Sequence, residues 1–377
     1  MTVEPPELRS YRPALRQEVL ISPPLLRAAA TVHLIKDPHS GASFEVGAKE
    51  HFLLSRLDGG RTLEEIGTDY AHTFGKRLGE ANWQQLLGLL GSRGLLVGAP
   101  LKPRPPQHPD VPDGMVTGSL LKGRVRMVAD AGATTDRLHR LLRPLLRVWL
   151  MLPLLALCLA MELLLVTQLG EFARDTWWLL HQPVPLLAVC VAIWFSIALH
   201  ELAHGVAARQ YGGTVSEIGL RWRLPMAIMY CTVDNYLYLR RRRHQLVIAG
   251  AGVFMNLVLL LPATAWWVAL PPGDPTRKVL AGLVVLGSVQ ALANLVPLPP
   301  LDGYAMLSHA LRISGYAPES GRYLRLRLRD RAAAAAYPRR ARALYTAYGI
   351  GSALLVCTLL AGLMTAVYFL MFSPGSY

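Results

Sequence analysis

Residues 195–205 read Phe-Ser-Ile-Ala-Leu-His-Glu-Leu-Ala-His-Gly, so His200, Glu201 and His204 form an H-E-x-x-H pattern inside an apolar run that begins near Val184. On a helix, His200 and His204 stand one turn apart on one face, where two imidazoles can share one metal ion. Glu201 lies about 100° round that helix. From there it can reach a water on the metal without being a ligand. These are parts of a zinc-dependent hydrolytic centre: two nitrogen ligands and a carboxylate base. The competing interpretation is a pair of core histidines and a glutamate that satisfy one another between helices. Ionisable groups at membrane depth are costly and usually mark a functional path, which favours the metal.

A catalytic zinc takes three protein ligands and keeps a fourth position open for water. Residues 294–304, Asn-Leu-Val-Pro-Leu-Pro-Pro-Leu-Asp-Gly-Tyr, close a later apolar run. Pro297, Pro299 and Pro300 cannot continue a helix, so the backbone unwinds before Asp302. Gly303 allows the close turn after it. An aspartate there, at the depth of His200 and His204, is placed to be the third ligand; its alternative is a loop carboxylate capping something at the interface. Residues 249–256, Ala-Gly-Ala-Gly-Val-Phe-Met-Asn, add small residues that permit close helix approach. Asn256 at their end is an amide needing a partner at depth. One Zn2+ per chain is expected.

The elements that position these residues are helices in lipid. The chain has 377 residues, 52% hydrophobic and 17% charged, and a positive mean hydropathy. Five runs are long enough to cross a bilayer, about 145–168, 184–207, 246–270, 279–300 and 346–371. Loops 121–147, 208–245 and 304–345 carry seven, seven and nine Lys+Arg, against one (Arg174) in 168–183 and two (Arg277, Lys278) in 271–278. That bias sets the first group inside and puts His200, Glu201 and His204 in the cytoplasmic half of span two. Glu162 is a further acidic residue at depth, with no role that the sequence assigns. The formal charge is +14, yet residues 1–98 hold eleven Lys+Arg and eleven Asp+Glu, so the whole excess lies with the membrane part. Topology accounts for it, and no nucleic-acid partner is expected.

Residues 1–98 read as a small soluble α/β unit with no secretory signal ahead of it, since the start carries Pro and Glu and no apolar core segment. Strand-like runs at 31–36 and 43–46 flank a turn, and helical patterns cover 48–57, 62–74 and 80–90, the second opening on a capping box of Thr62 and Glu65. Residues 99–113 are a Pro-rich, extended tether, the linker reaching to about 120. Residues 120–147 are basic and partly amphipathic, which suits a helix on the anionic inner surface. Residues 212–235 are β-rich, apolar and broken by Gly and Pro; a hairpin dipping into the cytoplasmic leaflet fits them, with an edge able to hold a peptide extended. The Arg240–Arg243 run anchors topology. The Leu/Arg alternation at 322–331 has period two and predicts an extended segment facing anionic lipid. The four cysteines, Cys158, Cys190, Cys231 and Cys357, have no disulfide or zinc-knuckle spacing and read as small buried residues.

The fold class expected is therefore a polytopic α-helical membrane protein, about five transmembrane helices with a membrane-dipping β-hairpin, preceded by a small α/β winged-helix-like soluble domain. Its parts are 1–98, the 99–120 linker and the 121–377 membrane domain. Within 184–304 the chain resembles the site-2 protease family of intramembrane zinc metalloproteases, through His200-Glu201-x-x-His204, the small-residue motif ending at Asn256, and Asn294-x-x-Pro297-x-Pro299-x-Leu301-Asp302-Gly303. It departs from that pattern in lacking a PDZ-like insertion and in having Val253 where a Pro often follows the glycine. The resemblance implies His200, His204 and Asp302 as ligands and Glu201 as general base. It also implies that Asn294 positions the substrate backbone, with Asn256, Pro297 and Gly303 grouped beside it. Residues 15–98 resemble the PqqD-like leader-peptide-binding domain of ribosomal peptide biosynthesis, through the strand pair, Arg56-Leu-Asp-Gly59, Arg61-Thr-Leu-Glu-Glu-Ile66 and Gly94-Leu-Leu-Val97. That implies a peptide added as a strand beside the third helix. A scaffold or dimer contact is the plainer role for the same unit.

Together these point to a multi-pass enzyme of the cell (inner) membrane with its N-terminal domain cytoplasmic. It would hydrolyse a precursor or membrane-anchored peptide at the cytoplasmic side. A different class, a non-proteolytic receptor or export partner with a structural metal, has no use for Glu201. A zinc transporter would need further intramembrane His/Asp pairs. The sequence sets neither the substrate nor the oligomeric state.

Overall fold

The computed structural model describes residues 10–100, 117–224 and 226–372. They fall into two compact units: the first holds residues 10–100 with Arg312–Ser314 and Ala335–Ala341, and the second holds the other described residues.

In the first unit, β3 (Ala30–Lys36) is central. β1 (Leu20–Ile21) and β2 (Leu25–Arg27) pair with its two ends on one side, and β4 (Ser43–Gly47) runs along the other, all antiparallel. Helices α1 (Ala48–Leu54), α2 (Leu63–Phe74) and α3 (Glu80–Ser92) follow. The α2 start is set by the capping box that the sequence signals: Thr62 Oγ1 accepts from the Glu65 N–H at 3.2 Å and Glu65 Oε2 accepts from the Thr62 N–H at 2.7 Å. Ile35, Leu54, Leu63, Ile66, Trp83, Leu90 and Leu95 close one apolar core between sheet and helices.

The second unit opens with β5 (Thr117–Ser119) and β6 (Lys122–Arg126), then α4 (Ala131–Leu142), α5 (Val148–Thr167), α6 (Leu169–Leu180) and α7 (Pro183–Gln210). After α7 come β7 (Val215–Arg223) and β8 (Met226–Val233), then α8 (Arg242–Ala269), α9 (Pro275–Ala293), α10 (Asp302–Leu311), α11 (Tyr316–Arg329), α12 (Arg331–Ala335) and α13 (Arg339–Phe372). Helices α5, α7, α8, α9 and α13 are long and apolar enough to cross a membrane. Their outer faces carry exposed Leu152, Leu159, Leu187, Val191, Phe195 and Leu354, a surface that suits hydrocarbon rather than water.

Three expectations are corrected. Residues 120–147 are not one surface helix: β5 and β6 join the later hairpin in a four-stranded antiparallel sheet of order β5-β6-β7-β8, and only Ala131–Leu142 is helical there. Pairing satisfies backbone groups that a lone hairpin would leave open. Thr117–Ser119 consequently sit in this sheet, inside the stretch assigned to the linker; residues 101–116 lie outside the described residues. The Leu/Arg alternation lies in α11, because buried Tyr316, Glu319, Ser320 and Tyr323 recur at helical spacing and outweigh the local period of two. The stretch 168–183, expected as a plain loop, forms α6, whose Phe172 stacks on Trp267 in a core shared with Leu280, Ala281 and Val284.

Two contacts hold the C-terminal end of α7. Asp136 of α4 pairs with Arg209, and His139 lies 2.6 Å from the Gln210 side chain. The sheet packs beside the same helix, with Cys231, Thr135 and Val215 closing round Gly205.

Candidate metal centre

His200 and His204 project from one face of α7, and both are buried. Their rings meet edge to face with centroids 4.8 Å apart. The helix that delivers the third residue breaks as the prolines require. α9 ends at Ala293, residues 294–301 have no regular structure, and α10 starts at Asp302. This is seven residues short of the expected end of span four at 300. Gly303 fixes the junction: its N–H donates to the Asn294 carbonyl at 2.7 Å, and a Cβ on it would collide with the Leu295 carbonyl. Tyr348 of α13 donates to the Pro297 carbonyl at 3.1 Å and steadies the same stretch.

Asp302 Oδ2 thereby lies 2.9 Å from His200 Nε2 and 3.3 Å from His204 Nε2, and the two Nε2 atoms are 3.2 Å apart. For a tetrahedral zinc with ligand bonds near 2.0–2.2 Å, neighbouring ligand atoms sit about 3.3 Å apart. The three-atom cluster has those dimensions. Without a metal, the contact open to these atoms is an imidazole Nε2–H against Asp302 Oδ2 at 2.9 Å, outside good hydrogen-bond alignment. Asp302 Oδ2 is buried without a well-aligned donor, and His204 Nδ1, 2.7 Å from the Ile248 carbonyl, must carry the ring proton because a carbonyl only accepts. In the neutral ring the Nε2 lone pair of His204 therefore faces the others, and a shared cation would make such convergence favourable. Burial raises the Asp302 pKa, but the two adjacent imidazoles reverse this and hold its carboxyl down at about 2. His200, His204 and Asp302 form the one group of this kind among the described residues, and Glu201 is outside it.

Glu201 points instead to the sheet, its Oε2 accepting from the Cys231 N–H of β8 at 3.1 Å. Among the described residues β8 is the last strand of its sheet and pairs with β7, so the carboxylate stands at a sheet edge. The Cys231 thiol is pushed up to about 12 by burial and by the Glu201 charge, so it stays protonated and is no nucleophile. Asn294 donates to the Gln290 carbonyl at 3.2 Å and is half-buried. Asn256, grouped in the sequence with the substrate-positioning residues, is turned onto the cluster instead: it is 2% exposed, and its Nδ2 lies 3.0 Å from His200 Nδ1 and 3.1 Å from Gln290 Oε1. Sequence reasoning passed over Gln290, although a glutamine within an apolar span, one turn before Asn294, was the available signal. Glu162 is placed on α5 with a buried Oε1 that has no hydrogen-bond partner among the described residues.

Gly252 of α8 lies against the His200 imidazole, where a Cβ would fall on the ring. Gly252→Ala is expected to displace His200 and lower zinc affinity by at least about tenfold, the scale of a disturbed ligand support, read by competitive chelator titration. His309, two turns beyond Asp302 on α10, is buried with Tyr236 edge-on at 4.4 Å, and burial pushes its pKa down to about 4. The folded state holds this group neutral while the unfolded chain, near 6.5, takes up a proton. Its contribution is thus fully present above pH 6.5 and is lost as pH falls toward 4, with a slope approaching about 1.4 kcal/mol per unit. His309→Phe should flatten that part of the unfolding-temperature profile in detergent.

No protein-family model matches the chain, and no curated protein or solved structure is significantly similar to it.

Proposed function

We propose that this chain is a membrane-embedded zinc metalloendopeptidase of the site-2 protease type. It hydrolyses a peptide bond in a membrane-anchored or ribosomally made precursor near the cytoplasmic face of the inner membrane, and residues 1–98, on the cytoplasmic side, recruit that substrate. The observation that carries the reading is the convergence of His200 Nε2, His204 Nε2 and Asp302 Oδ2 within 3.3 Å of one another, with Glu201 adjacent on α7 and not a ligand.

His200, His204 and Asp302 would hold the zinc, which when bound would supply Lewis-acid chemistry, acidifying water and polarising a carbonyl. Glu201 takes the proton of the attacking water, whose oxygen bonds to the scissile carbon; as the C–N bond breaks, Glu201 returns the proton to the leaving amine. A helical substrate hides its carbonyls in hydrogen bonds and must be drawn out as an extended segment before it can react. The β8 edge supplies backbone pairing for such a segment, and the Cys231–Glu201 hydrogen bond ties that edge to the base. Asn294 Oδ1 accepts no hydrogen bond among the described residues and so is free for a substrate N–H. In the first unit, β4 leaves one open sheet edge, the feature that strand addition of a leader peptide requires.

The test is a substrate trap. Glu201→Gln chain, with and without residues 1–98, is crosslinked in native membranes and the co-purified peptides are identified against wild type. One precursor enriched by the full-length trap and lost on deletion supports both halves of the reading. Capture that survives deletion removes the recruitment role. Equal capture by wild type and variant, with no cleaved product in either, would overturn the protease in favour of a receptor.

A further inference from the structure

The two imidazoles of the cluster are held differently. His204 is set by the Ile248 carbonyl, which can only accept, so its Nδ1 carries a proton and the neutral ring offers its lone pair at Nε2. His200 has no such fixed partner. Its Nδ1 meets an end of the Asn256 amide at 3.0 Å, and that same end meets the Gln290 amide at 3.1 Å. Each amide presents N–H2 at one end and oxygen at the other, and a half-turn exchanges them.

Two arrangements satisfy these contacts. In the first, Asn256 gives its N–H2 to both neighbours; His200 Nδ1 then accepts, its proton sits on Nε2, and the lone pair needed for a metal is gone. Asn256 Oδ1 is left buried without a partner in this arrangement. In the second, Asn256 turns its oxygen to the shared end, His200 Nδ1–H donates to it, and Gln290 turns its own N–H2 to the same oxygen. His200 Nε2 then faces Asp302 and His204 as a free ligand. Only paired rotation keeps both hydrogen bonds.

We propose that Gln290 and Asn256 form a coupled amide relay that sets the tautomer of His200, with Gln290 a positioning residue acting on the ligand through Asn256. This rests on the metal centre proposed above. The relay gives His200 two accessible states, one closed to metal and one competent, and metal uptake selects the second by turning both amides together. Asn256→Asp, which can only accept at the shared end, holds the competent state without help from Gln290.

The experiment measures metal affinity rather than turnover. Full-length chain in detergent is stripped with a chelator and titrated with Co2+, followed by its visible absorption, and then with Zn2+ in competition. The chains compared are wild type, Gln290→Met, Asn256→Asp and the double variant. Gln290→Met is expected to weaken binding by about tenfold, the lower end of the range for outer-shell partners. Asn256→Asp should bind at least as tightly as wild type, and adding Gln290→Met to it should change nothing. Unaltered affinity in Gln290→Met would overturn the relay. So would an equal loss in both backgrounds, because Gln290 would then act by packing and not through Asn256. If the wild-type chain itself takes up no Co2+ or Zn2+, the metal centre falls and the relay falls with it; binding by wild type with no effect at Gln290 leaves the centre standing and removes the relay alone.

Discussion

Glu201→Gln is expected to abolish peptide hydrolysis while zinc stays bound. The substitution is nearly isosteric, and the new Oε1 can still accept the Cys231 N–H, so neither α7 nor the β8 edge has a reason to move. What is lost is the capacity to take a proton. A positioned general base contributes about 10²–10⁴ in rate, and the described residues place no second carboxylate within the cluster besides Asp302, which is committed to its imidazole contacts. Turnover of a reconstituted precursor should therefore fall by at least about a hundredfold, with zinc content measured on the same sample unchanged. Cleavage at the wild-type rate would exclude Glu201 as the base. Loss of zinc together with activity would place Glu201 among the ligands, against the geometry.

Asp302→Ala is expected to empty the centre. Asp302 is the one anionic member, ionised at neutral pH because its carboxyl is held at about 2. Its removal leaves two imidazoles whose Nε2 atoms lie 3.2 Å apart, and two ligands do not make a catalytic zinc site. The loss in affinity should exceed the ten- to hundredfold that outer-shell changes produce. A second reading follows from linkage. A cation that binds only the folded chain stabilises it by about 2.7 kcal/mol at a hundredfold excess over Kd. Chelation should thus lower the unfolding temperature of the wild-type chain in detergent, and the same chelator should leave Asp302→Ala unmoved. Identical unfolding of the wild type with and without zinc would count directly against a metal at this position.

Much of the centre was legible in the chain before its fold. The H-E-x-x-H spacing reports itself because helical periodicity is local: residues four apart share a face whatever surrounds them. The break before Asp302 was equally legible, since three prolines in four positions forbid a helix by covalent geometry alone. Helix starts such as Thr62 follow from side chain–backbone bonds three residues long. The five apolar runs register by length and composition, and each meets a helix in the structure, though with ends shifted by several residues, as at Arg242 and Ala293.

Residue types, their helical phase and the points where helices cannot continue are local properties, readable along the chain. The rest came from packing, because the interactions concerned join residues far apart in the chain. The pairing of β6 with β7 links segments nearly a hundred residues apart, and no local period announces it. The helical state of α11 was settled by what Tyr316 and Tyr323 bury against, which overrode the alternation of Leu and Arg. The role of Asn256 turned on its meeting His200 and Gln290 from two other helices. An amide in an apolar span declares that it needs a partner; only packing says which one.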